Sequence, residues 1–158
     1  MDKPISQGLK IIFLIHAIIS VIFGVGLWLA PGRFLILVGW VLPEVELWVF
    51  ETIVEAPGTL LVDPFITRIL GAALLALAYT SFKGWRANQW GEVALVVQME
   101  AVFCIVGLLG MIITLILSPD MPVFSQLGGM PAFGWVLMVI LAGFTLAWLW
   151  ALLRHTKD

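Results

Sequence analysis

The chain has 158 residues, 62% of them hydrophobic and 11% charged, with a mean hydropathy of +1.12. A soluble domain is closer to about half apolar and about a quarter charged, so this composition excludes one and points to membrane spans. The net charge of -2 gives no footprint for a nucleic-acid partner, and the single cysteine, Cys104, excludes an internal disulfide and has no metal-ligand spacing around it.

Taken in order, Met1 to Gln7 is a short polar start, and the first apolar run spans about Leu9 to Leu29 before the breaking pair Pro31-Gly32. This run is too long for a signal-peptide core and no convincing cleavage site follows it, so it reads as a retained first span. His16, Ser20 and Gly24, spaced by four, share one helical face of that span. Arg33 to Leu42 is apolar but only about half a span, which suits an interfacial or re-entrant segment. In the stretch from Pro43 to Val62, Glu44, Glu51 and Glu55 fall near one helical face and Val45, Val49 and Ile53 on another, while Glu46 breaks the pattern. The expectation is an amphipathic helix in the membrane surface, with Trp40 and Trp48 as anchors, so that residues from about 33 to 62 form one interfacial segment.

Asp63 and Pro64 are a helix-start pair and open a second span, about Phe65 to Phe82, with Arg68 one turn in. Ala72 and Ala76 are spaced for close helix contact. A basic loop holding Lys83 and Arg86 leads to the third span, about Gly91 to Leu117, and a connection with Pro119, Asp120, Pro122 and Gly128-Gly129 leads to the fourth, about Ala132 to Leu153. The fold class is therefore an all-α integral membrane protein, a single four-transmembrane-helix bundle. With four spans, Lys3, Lys10, Lys83, Arg86, Arg154 and Lys157 share one side, against Arg33 and Arg68 on the other. Basic residues favour the cytoplasmic side, so both termini are expected there, in a multi-pass protein of the cell membrane.

Glu100 is the anomaly, an ionisable residue inside an apolar run, and such residues mark functional-site hypotheses with a partner to be found. At 1.5 Å per residue, Glu100 lies roughly 13 Å from the cytoplasmic end of its span, His16 roughly 10 Å and Thr145 roughly 12 Å. Cys104, Gly107, Met111 and Thr114 follow Glu100 along a face of small or adaptable residues. His16 is thus the first candidate partner. Arg68 is the second, although its long side chain can instead snorkel outward toward nearer carboxylates such as Asp63, Glu51 and Glu55. The buried polar and ligand-binding candidates are His16, Ser20, Arg68, Glu100 and Thr145. A simpler role stands beside them: a protonated carboxyl hydrogen-bonded to a neighbour can fix helix register with no turnover. Glu51 and Glu55 are spaced to share a divalent cation, but solvated carboxylates explain them as well, and Cys104 reads as packing. No catalytic residue set, metal site, phosphate loop or CxxC motif is present in the sequence.

The run DPFITRILGAALLALAYTSFKGWR, with Arg68-x-x-Gly71 opening the second span and an embedded acid in the next, resembles small four-span membrane proteins of the DoxX-like kind. The resemblance implies a compact four-helix membrane bundle. The acidic insert between Glu44 and Glu55 departs from that pattern.

Three functions follow as expectations. The first is an accessory or assembly subunit, or a module binding a lipid or other apolar ligand, with no cofactor of its own. Its partners would be the bilayer and a larger membrane complex or further copies of itself. The second is a proton-coupled transporter or membrane enzyme with a buried site at Glu100 and His16. The third is pigment binding through His16.

Overall fold

A computed structural model of the protein describes residues 3–49, 52–117 and 130–156. Helices dominate: α1 (Gln7–Leu29), the short α2 (Pro31–Leu37), α3 (Pro64–Arg86), α4 (Ala94–Leu117) and α5 (Ala132–Thr156). Four of them, α1, α3, α4 and α5, are long and apolar enough to cross a membrane. Their outward faces are apolar, with Ile15, Ile22, Ile69, Val106 and Val139 all exposed.

The helix ends follow local chemistry. Ser6 caps α1 by accepting from the Leu9 amide, and Asp63 caps α3 by accepting from the amides of Phe65 and Ile66. Pro31 starts α2, where its missing amide proton costs nothing. The helix that carries the expected second span does not stop at Phe82. The helix continues through Lys83 and Arg86, whose cations sit in its last turn and complement the helix dipole.

The amphipathic helix expected over the interfacial segment is overturned. The chain there forms a two-stranded antiparallel hairpin, β1 (Glu44–Val49) with β2 (Thr52–Pro57), in a register that pairs Glu46 with Glu55 and Trp48 with Ile53. A short 3-10 turn, Gly58–Leu61, joins it to α3. The misfit of Glu46 to a helical face was the signal, because the stretch carries Val45, Val49, Thr52, Ile53 and Val54, and β-branched residues fit a pleated strand better than a helix. The spacing of Glu51 and Glu55, read as solvated carboxylates or as a shared cation site, involves Glu51, which lies outside the described residues. The connection from Pro119 to Gly129 also lies outside them.

Close packing of α1 on α3 runs through glycine, although not through the expected pair. Ala72 and Ala76 face outward, whereas Gly71 lies buried against α1 at Gly24. A Cβ at Gly71 would stand 2.8 Å from the Trp28 amide nitrogen and 2.9 Å from the Gly24 carbonyl oxygen. Lower in the bundle Gly84 admits the Phe13 ring, which a Cβ would meet at 2.6 Å. Here Leu9, Phe13, Val93, Val97, Trp148 and Ala151 form the dense part of the core. At the same end the N-terminal segment pairs with the α3–α4 loop through Ile5 to Asn88, Trp90 to Lys3 and Lys10 Nζ to Asn88 Oδ1, while Trp90 stacks on His155 of α5.

The crossing makes opposite predictions for two glycines. Gly71→Ala meets backbone that cannot yield and should lower unfolding stability by about 1–3 kcal/mol. Gly143→Ala meets nothing within 4 Å and should raise stability by about 0.5–1 kcal/mol through helix propensity. Unfolding titrations of both variants in mixed micelles check this.

Candidate functional site

Glu100 is completely enclosed, with 1% of its surface exposed, between α4 and its neighbours. Ser81, on α3 and fully buried, places its Oγ 2.5 Å from Glu100 Oε1 and 2.7 Å from His16 Nδ1. His16 Nδ1 also approaches Glu100 Oε2 at 3.2 Å. Three helices thus each supply one member of a polar chain, Glu100 to Ser81 to His16. Thr80 adds a longer contact to Glu100 Oε1 at 3.4 Å, although its hydroxyl also reaches the Leu77 carbonyl at 2.9 Å.

The rest of the His16 ring is held by aromatic edges from α5. Phe144 stands 4.6 Å from it and Trp148 5.7 Å, both near perpendicular, and Trp148 continues to Phe13 at 5.0 Å. These rings fix the imidazole plane, which a polar chain of two contacts alone would leave free to swing.

Above this layer the helices leave a partly open apolar space. A cavity of about 390 Å³ extends from His16, Ser20 and Cys104 toward Phe34, Trp40 and Phe133 at the far end. Its walls come from all four long helices and are almost wholly apolar, with Phe23, Leu74, Met111 and Ile140 among them. The size falls in the range of small-molecule sites, about 300–1,000 Å³, and such sites combine apolar walls with a few placed polar groups. Here His16 and Ser20 are the polar groups nearest the buried chain. Nε2 of His16 makes no hydrogen bond among the described residues.

Of the five candidates, His16 and Glu100 meet directly and Ser20 lines the cavity one turn above His16. Arg68 does not reach Glu100. It is exposed and donates from Nε to the Trp28 carbonyl at 3.2 Å, beside Arg33 at a shallow depression near the hairpin. Thr145 stays out as well, since its Oγ1 is buried without a hydrogen-bond partner among the described residues. Of the residues that follow Glu100 on its face, Cys104, Gly107 and Met111 line the cavity, whereas Thr114 does not and donates to the Gly110 carbonyl of its own helix. Ser81 was missed. A serine in a span is unremarkable by itself, but Gly71, Ala78, Ser81 and Gly84 are the buried positions of α3, and Ser81 is the polar member of that small-residue face.

These features define a class, a four-helix bundle with an apolar cavity ended by a buried polar chain. No family model, curated protein or solved structure matches the chain.

The polar chain should show as energetic coupling. In a double-mutant cycle, His16→Leu and Glu100→Leu should be non-additive by about 1–3 kcal/mol of unfolding stability, while Arg68→Gln with Glu100→Leu should add to within about 0.5 kcal/mol.

Proposed function

We propose that the chain is an integral membrane protein whose four spans bind an apolar ligand, a lipid or a molecule of similar character, in the cavity ended by His16. The observation that carries this reading is the partly open apolar space in the upper half of a bundle whose lower half is close-packed. Packed interiors leave few voids, so a partly open apolar cavity of this size between the helices is room for an occupant. The exposed apolar faces of the four helices support lipid as the surrounding solvent. Both termini lie on the cytoplasmic side in this reading, because Lys3, Lys10, Lys83, Arg86 and Arg154 gather at the end where the N-terminal segment meets the α3–α4 loop. The hairpin sits at the opposite surface. The resemblance to DoxX-like proteins agrees with this architecture, and an accessory role beside a larger membrane complex remains compatible with ligand binding.

A second reading, proton handling at Glu100 and His16, draws support from one observation. The chain Glu100–Ser81–His16 links a carboxyl without other outlet to an imidazole on the cavity wall.

Native mass spectrometry of the protein from mild detergent should show a bound apolar molecule that organic extraction removes. Gly107→Phe should abolish it with helical content unchanged, since the nearest atoms to a Cβ there are on the Leu141 side chain at 3.6 Å and the larger ring has the cavity to enter. A protein that is empty before substitution, or one that keeps its ligand after it, contradicts the binding reading. For orientation, a C-terminal reporter active only in the cytoplasm should be active.

A further inference from the structure

The proton arrangement of the polar chain selects the head of the ligand, an inference that rests on the cavity reading above. The chain consists of two hydrogen bonds, Ser81 Oγ with Glu100 Oε1 and Ser81 Oγ with His16 Nδ1. Serine has one hydroxyl proton. The hydrogens therefore run in one of two directions. Either Nδ1–H donates to Ser81, which donates to Glu100, or the Glu100 carboxyl donates to Ser81, which donates to Nδ1.

Charge then narrows the choice. No lysine or arginine contacts Glu100 or His16 among the described residues. The elements packed on them contribute Thr80 and Ser81 from α3, Cys104 from α4, and Phe144 and Trp148 from α5, none of them a cation. A net charge alone in an apolar interior is costly, so the favoured states are neutral overall. In the first direction, neutrality comes from imidazolium beside carboxylate, and Nε2 carries a proton. In the second, a neutral acid stands beside a neutral imidazole, and Nε2 again carries the proton because Nδ1 is accepting. A third neutral state puts the acid proton on Oε2, whose polar neighbour Nδ1, 3.2 Å away, is then itself a donor, so that proton finds no acceptor among the described residues. Both allowed neutral states give the same outward face, an Nε2–H with no acceptor among the described residues.

We propose that the ligand carries a hydrogen-bond acceptor, a carbonyl on an apolar ring or chain, which His16 Nε2–H binds at the inner end of the cavity. The aromatic walls at Phe23, Phe34, Phe133 and Phe144 fit a flat ring behind that carbonyl. Ser81 and Glu100 are positioning residues in this scheme, since they hold the tautomer and touch no ligand atom.

Fluorenone and fluorene test this, because they share shape and differ in one carbonyl. Both are titrated into wild-type protein in mild detergent, each affinity corrected for partition into empty micelles. Fluorenone should bind about tenfold more tightly, the worth of one otherwise unmade buried hydrogen bond. Its C=O infrared band should move to lower frequency on binding, and both effects should vanish in His16→Phe. The wild-type measurements stand alone if that variant does not fold. Equal affinity or an unshifted band overturns the acceptor-headed ligand while leaving the cavity reading intact. Failure of both probes to bind overturns the two together.

Discussion

A carboxyl that cannot reach water must find its hydrogen bonds inside the bundle, and that constraint on Glu100 organises the rest of the structure. Its hydrogen-bond partner Ser81 lies on α3 and itself bonds His16 on α1, so one chain of contacts fixes the depth and rotation of three helices together. Sliding any one of them by a turn, about 5.4 Å, would break the chain and leave a buried polar group unpaired. The glycines at Gly24 and Gly71 then let α1 and α3 approach closely above that layer, while Gly84 makes room for Phe13 below it.

The same layer divides the bundle into unlike halves. Toward the basic end, Phe13, Trp148, Val97 and Leu9 fill the interior with no surface left exposed beyond 1%. Toward the hairpin, aromatic side chains from α1, α2 and α5 line space without closing it. His16 belongs to both halves, with Nδ1 committed to the polar chain and the residue itself on the cavity wall. A histidine held this way suits ligand recognition, because its second nitrogen is oriented by the hydrogen bonds of its first.

Much of this was legible in the sequence, and the remainder was hidden for physical reasons. The four long helices showed as apolar runs because lipid-scale length and hydropathy are local properties. Depth counting at 1.5 Å per residue made His16 the first candidate partner of Glu100 and left Arg68 as the second. Ser81 stayed hidden because a hydroxyl in a helix can always bond its own backbone, as Thr80 does with Leu77, so its residue type says nothing about an outside partner. The hairpin was mistaken for a helix because acids four apart satisfy a helical face by coincidence, and the decisive evidence lay in β-branched composition and in the one residue, Glu46, that did not fit. The cavity could not be read at all. It is a deficit of packing among the four long helices, and deficits leave no mark in a pattern of residue types.

The central claim is that Glu100 and Ser81 orient His16 so that Nε2 presents a proton to the cavity. Nitrogen-15 NMR of the labelled protein measures this directly, with His155→Gln removing the second of the two histidines in the chain. A protonated Nε2 signal, with Nδ1 either accepting or protonated beside the carboxylate, is the predicted result. A bare Nε2 beside a protonated Nδ1 would contradict the account.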